Sequence, residues 1–387
     1  MFSSRTTGEL QPNLLTLEIR KARASGRHVI DLTVTNPTTC GFAYPPGLLA
    51  ALADPGAATY DPQPLGAWGA REAVAHDYAR RGITVLPDHV VLTASTSEAY
   101  SILFKLLCEP AGDSVLAPAP SYPLFEHLAS LDGVSVSTYP LEYHGRWMVD
   151  FETLDDRWTP RVRAVLAVSP NNPTGSVLTP DEYDQLARRC VEHRAALILD
   201  EVFADYLLQD EPVPAACGSS QPLTFRLGGL SKSIGLPQVK LGWIAVSGPD
   251  ALVADALQRL ELICDTYLSV STPVQLAAAH LLEAGAGVRA QILARVRAND
   301  AALRRAAEPF PSVQPLRSEA GWASVLRVPA TRTEEELVLE LLGRDGVLVH
   351  PGFFFDFPQE AFLVLSLLPE PAVFTEGVRR LLARVRA

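Results

Sequence analysis

The stretch Gly228–Trp243, GGLSKSIGLPQVKLGW, decides how this chain is read. It holds two lysines, Lys232 and Lys240, in a chain whose only other lysines are Lys21 and Lys105. The apolar run LTFRLGG (223–229) leads into it and GWIAVSG (242–248) leads out. The lysines therefore sit on a glycine-punctuated connection between two expected strands. It is not a Walker loop, because the G-x-x-x-x-G-K spacing is missing. A lysine in such a loop is ordinarily a solvated cation. In a cleft, with its amine desolvated, it becomes a nucleophile able to form a Schiff base.

Further apolar runs lie upstream: VVLT (90–93), SVLAP (114–118), VSVSTYPL (134–141), RAVLAVSP (163–170) and AALILDEVF (195–203). Helical patterns separate several of them, among them 97–109 and 180–194. Strand–helix alternation predicts an α/β fold with a mainly parallel sheet. The runs are apolar throughout, as strands covered on both faces by helices must be. Downstream of Pro249 a long helical stretch precedes the run 323–329, a short helix over 333–346 and the run FLVLSLLP. This tail predicts a smaller α+β domain. The proline-rich start LTVTNPTTCGFAYPPG is unsuited to a central strand and is expected to pack with the tail. The expected division is a large domain over 45–270 and a small one from 1–44 plus 271–387.

Composition narrows the function. The 387 residues are 48% hydrophobic and 20% charged, with net charge −11. No basic stripe suits nucleic acid or an anionic membrane. No apolar run reaches spanning length, and the N-terminus lacks a signal-like apolar core. Cys40, Cys108, Cys190, Cys217 and Cys264 are far apart, without CxxC. That predicts reduced thiols in a cytoplasmic protein, with no disulfide framework and no metal site.

Two further motifs end strands. SPNNPTG (169–175) follows AVLAV, at the strand end where open α/β sheets bind ligands. Asn-Pro beside Gly is equally ordinary turn chemistry. In LILDEVFADY (197–206), Asp200 ends another run, as a helix cap or as the partner of a cation. Together and in order, NPTG, D-E-V-F, and S-K-S with a basic residue eight positions on resemble the fold-type I pyridoxal-phosphate (PLP) enzymes. The match is closest to the class I/II aminotransferases, from about Asp31 to the C-terminus.

The resemblance implies roles. Lys232 would hold PLP as a Schiff base and then serve as general base, with Asp200 pairing with the pyridine nitrogen. Asn172 would bond the ring hydroxyl, and Tyr122 would stack on the ring. Ser95, Thr96 and Ser97, at a helix start, would cradle the phosphate with Ser231 and Lys240. Tyr60 would reach a neighbouring subunit's cofactor, which implies a homodimer. VHPGFFF (349–355) would close over the substrate.

Four departures from the pattern stand out. Lys240 occupies a position usually held by arginine and loses the bidentate fork. Phe203 replaces a tyrosine, removing a donor to the ring hydroxyl. Gly229 replaces a serine. Val364 stands where the family places its arginine for the substrate carboxylate. Arg317, Arg327 and Arg27 are the stand-ins considered. Phe353, Phe354, Phe355 and Phe357, with Tyr44 and Trp322, read as core and lid packing or as an apolar substrate pocket. His350, beside Pro351-Gly352, reads either as a substrate contact or, like most lone histidines, as structural, and it is assigned no catalytic role.

The resemblance implies an enzyme moving an amino group from an amino acid or amine to a 2-oxo acid. The same fold and cofactor also serve lyases, decarboxylases and synthases, because the bond held perpendicular to the ring selects the reaction. A non-enzymatic PLP-binding regulator is disfavoured, since no DNA-reading segment precedes residue 31 and Lys232, Asp200 and Asn172 are intact.

Overall fold

The computed structural model describes residues 2–6, 11–208 and 221–386. Cys217 lies outside them. The strands, in chain order, are β1 (Ile30–Asp31), β2 (Val90–Thr93), β3 (Ser114–Ala119), β4 (Ser135–Tyr143), β5 (Trp147–Val149), β6 (Val162–Val168), β7 (Ala196–Asp200), β8 (Thr224–Gly229), β9 (Gly242–Ser247), β10 (Gln314–Pro315), β11 (Ala323–Arg327), β12 (Val347–Leu348), β13 (His350–Pro351) and β14 (Phe362–Ser366). The helices are α1 (Leu14–Ala24), α2 (Trp68–Arg80), α3 (Thr96–Leu107), α4 (Leu124–Asp132), α5 (Phe151–Arg157), α6 (Pro180–His193), α7 (Leu230–Ser233), α8 (Asp250–Tyr267), α9 (Thr272–Ala284), α10 (Ala286–Ala307), α11 (Glu334–Glu340) and α12 (Pro371–Arg386).

Eight strands form one sheet in the order β2-β9-β8-β7-β6-β3-β4-β5. Its centre, β8-β7-β6-β3-β4, is parallel, while β9 and β5 run antiparallel to their neighbours. This is the α/β architecture the apolar runs predict. Strands β2, β7 and β8 are buried along their whole length, so both faces need cover. One apolar core joins the sheet to α3, α4 and α8. A second joins its other face to α5 and α6. Helix α6 starts where its sequence says it must: Thr179 and Glu182 form a capping box that brackets Pro180 in the first turn.

A second, four-stranded sheet has the order β10-β11-β14-β13 and is antiparallel. Helices α10 and α12 share an apolar core with it. The two-residue strand β1 pairs in parallel with β12, so the start of the chain joins the tail. The expected helix over 333–346 is α11 followed by a wider π-type turn at Leu341–Asp345. Strand β5 and helix α12 have no counterpart in the sequence reading. The first is only three residues long, and the second follows a proline-rich break.

Candidate active site

The topology brings one set of loops together. Because β9 runs antiparallel to both β2 and β8, β2 points the same way as the parallel strands. The carboxyl ends of β2, β8, β7, β6 and β3 therefore share one sheet edge, where open α/β sheets bind ligands. Each expected site segment begins there. Ser95–Ser97 follows β2, Ser231 and Lys232 follow β8, and Asp200 closes β7. Asn172 follows β6, and Tyr122 follows β3. Beside β2, strand β9 begins at this edge, two residues after Lys240.

Asp200 is buried. Its carboxylate accepts from the Tyr100 hydroxyl at 2.8 Å and from the Val202 N–H at 3.1 Å. Burial pushes its pKa up to about 6, and these two donors pull against that rise. Tyr100 was not foreseen. It sits on the buried face of α3, and no local spacing links it to a residue one hundred positions away.

Lys232 lies in the short helix α7, half-buried. Its Nζ stands 5.2 Å from the Trp322 ring centroid and 5.7 Å from that of Phe203. Burial lowers its pKa, and the Asp200 carboxylate opposes the shift. Two residues anchor its backbone. The Tyr206 hydroxyl donates to the carbonyls of Lys232 and Ser233. Arg289 Nε donates to the Ser233 carbonyl at 3.0 Å. Arg289 is held in turn by Asp77 at 3.1 Å and Asp205 at 3.4 Å. Neither anchor was foreseen, since their bonds to the loop span 26 and 56 residues.

Glu201, next to Asp200, faces the other way. Its carboxylate is taken by the buried Arg226 and by Arg81, the latter at 3.2 Å. It is a structural ion-pair member.

Ser95 caps α3: its hydroxyl oxygen accepts the Glu98 N–H at 3.2 Å. The Glu98 carboxylate accepts the Ala94 N–H at 2.6 Å. This closed turn leaves the first N–H groups of the helix, including those of Thr96 and Ser97, without intrahelical acceptors. N–H groups at a positive helix end of this kind suit an anion. Gly242 of β9 lies directly beneath this turn. A Cβ there would fall 2.9 Å from the Ser95 carbonyl carbon and 3.1 Å from the Thr96 nitrogen. The glycine pair in β8 has a similar origin. A Cβ at Gly228 would meet the Trp243 indole at 2.4 Å, and one at Gly229 would lie 3.0 Å from the Leu241 carbonyl oxygen. A serine at Gly229 has no easy fit.

The remaining expected residues are placed less tightly. Asn172 is half-buried, and it is the neighbouring Asn171 whose side chain is locked, by Ser121, Pro120 and Thr174. Phe203 is buried against Trp322, ring centroids 5.4 Å apart. Tyr122 and Lys240 are exposed. Tyr60 is 77% exposed, far more than a lone aromatic side chain in a finished core.

The arginine stand-ins are drawn elsewhere. Arg27 donates to the Gly343 carbonyl at 2.8 Å, Arg327 to Gln314, and Arg317 lies 3.7 Å from Glu319. Val364 is buried in an apolar cluster with Phe355, Phe357 and Val325. Of the aromatic group, Phe355 and Phe357 are core, while Phe353 is exposed. Tyr44 donates to the Gly235 carbonyl at 2.7 Å, beside the lysine loop.

Comparison with known proteins agrees with this fold. The sequence profile of the family "Aminotransferase class I and II" matches residues 30–381. The alanine aminotransferase of Mycobacterium tuberculosis is 27% identical over 376 residues, covering 93% of this chain and 86% of that protein. The glutamate-pyruvate aminotransferase of Escherichia coli K12 is 25% identical over 363 residues, covering 91% and 89%. The fold matches that of an alanine aminotransferase from Pyrococcus furiosus with TM-score 0.88 at 21% identity, over 100% of both chains.

Proposed function

The chain belongs to the class I and II aminotransferases, a family of PLP-dependent enzymes, and from that membership we propose that Lys232, Asp200 and the α3 N-terminus form its working PLP site. The observation that carries the reading is Lys232: an amine whose pKa burial lowers, at the same sheet edge as a buried carboxylate.

The residues fit the cofactor. Asp200 is a buried acid with only two neutral donors, which suits a cationic ring nitrogen. The α3 start suits a phosphate, and Ser231 and Lys240, on the connection between β8 and β9, would complete it. Tyr122 suits a ring face, and Asn172 suits the ring oxygen. Bound there, PLP supplies an aldehyde that condenses with amines and a ring that accepts electrons. The chain does the rest. Lys232 would hold the group through its amine and would move a proton to and from the substrate α-carbon. Asp200 would keep a proton on the ring nitrogen. Tyr206 and Arg289 keep the lysine segment from drifting.

The substrates are amino acids and 2-oxo acids, as for the family. Because two relatives are named for alanine or pyruvate, L-alanine with pyruvate is the first couple to test. We assign the large domain to 45–270 and the small one to 1–44 plus 271–387, with the site between them. We assign a homodimer, supported by the exposed Tyr60 beside Tyr267 and Leu268 around one surface cleft. A cytoplasmic location is supported by the four described cysteines, all unpaired. No described helix is long and apolar enough to cross a membrane.

The test is product analysis. Protein loaded with PLP is incubated with an amino donor and a different 2-oxo acid, and products are followed by mass spectrometry. A new amino acid formed in step with the donor's oxo acid supports amino-group transfer. Ammonia or carbon dioxide released in its place assigns a lyase or decarboxylase.

Two expectations concern the phosphate end. Lys240→Arg retains PLP affinity within a few-fold, because charge is preserved and the fork improves bidentate contact; equilibrium dialysis of PLP measures this, and complete loss would contradict it. Gly242→Ala pushes a Cβ into the Ser95–Thr96 turn. It is expected to weaken PLP binding by about tenfold and to cost about 1–3 kcal/mol of stability. Unchanged PLP affinity in that variant would remove the turn from the phosphate site.

A further inference from the structure

Amino acids and 2-oxo acids are carboxylates, so the cleft that takes them must read an anion. The three arginines considered for this are drawn elsewhere, and Val364 offers no charge. Strand register supplies a different reader. His350 stands directly opposite Val364 across the β13–β14 ladder. Opposed residues share a face, with Cβ atoms about 4.5–5.5 Å apart.

The imidazole is half-buried, between the rings of Phe354 at 5.9 Å and Phe355 at 5.7 Å. Among the described residues no hydrogen bond engages its nitrogens. The Phe355 carbonyl accepts the Ser121 N–H at 3.0 Å, one residue before Tyr122. The His350 turn therefore meets the loop that carries the proposed ring-stacking residue.

We propose that His350 is a specificity-determining residue that donates an imidazole N–H to the carboxylate of the amino-acid and 2-oxo-acid substrates. The proposal rests on the aminotransferase reading above.

The surroundings make the contact pH-sensitive. Burial lowers the proton affinity of the ring, and Asp31 on β1 opposes this. Asp31 also accepts from Thr33 and pairs with Arg23. Glu334 of α11, packed on β13, spends its carboxylate on the N–H groups of Phe353 and Phe362. Asp356, past the same turn, has its pKa raised by burial and by the like charge of Glu126. Val364, Phe354 and Phe355 carry no charge. Burial thus favours the neutral free ring, and a bound carboxylate raises its proton affinity. Substrate-acid affinity falls as pH rises through the pKa of the complex.

The holoenzyme is titrated, by its cofactor absorbance, with whichever of the twenty amino acids responds most strongly and with that amino acid's decarboxylated amine. Wild type, His350→Phe and His350→Gln are compared. His350→Phe is expected to weaken the amino acid about 10- to 100-fold and to leave the amine unchanged. His350→Gln, which keeps an N–H donor, recovers part of the loss. In NMR titrations of wild type, the His350 ring is expected to titrate higher with pyruvate present. A His350→Phe enzyme that keeps the wild-type preference for acid over amine overturns the proposal, as does an unmoved ring titration. A wild type that responds to amines and to no amino acid overturns the amino-acid reading itself, and His350's role with it.

Discussion

Lys232→Ala is expected to abolish the visible absorbance band of lysine-bound PLP and to lower turnover by at least about 10³-fold. The variant loses both the attachment point and the base that moves the α-proton, so the two effects arise together. It should still fold. Lys232 makes no ion pair among the described residues, and its contacts are with the rings of Phe203 and Trp322. The loop is held through backbone carbonyls by Tyr206 and Arg289, and alanine keeps both bonds. An unchanged spectrum in the variant removes Lys232 from its role.

Asp200→Asn is expected to lower turnover by roughly 10²–10³-fold while PLP, gripped mainly at the phosphate end, is retained. The same change should stabilise the cofactor-free protein at neutral pH. The sign follows from the raised pKa. The folded protein holds the Asp200 proton up to about pH 6, whereas an unfolded chain releases it near pH 3.9. Stability from this group is fully present below about pH 4 and is lost as pH rises through about 6. The loss by pH 7 is about 3 kcal/mol. Asparagine never ionises, so the stability difference between variant and wild type should grow over that window. Urea unfolding of both cofactor-free proteins across pH 4–8 measures it. A difference that stays flat with pH, together with near-normal turnover, would count against the pairing of Asp200 with the cofactor.

Much of the fold was legible because its strands are short, apolar and fully covered. The runs at 90–93, 114–118, 163–170, 195–203, 223–229 and 242–248 all became strands of one sheet. The loop residues were legible for a related reason: a motif at a strand's carboxyl end is placed by the sheet itself. Residues that act across the fold were not legible. Tyr100 meets Asp200 only after α3 lies over the sheet. Arg289 reaches the lysine loop from α10. The opposition of His350 and Val364 depends on the register of a two-residue strand, which no periodicity announces. The glycines of GGLSKS were noticed for their spacing, but their cause is packing against Trp243 and the β9 backbone. Phe355 and Phe357, grouped by sequence with an exposed Phe353, belong to the core, because the 3₁₀ turn Gly352–Phe355 does not keep alternate side chains on one face.

The most direct test of the central claim is an absorbance spectrum of the purified protein after addition of PLP, before and after an amino acid is added. The account predicts a band near the visible edge that is absent from Lys232→Ala. It further predicts that an amino donor converts that band to the pyridoxamine form, and that a 2-oxo acid restores it. A protein that takes up no PLP, or whose band no amino acid changes, would contradict the account.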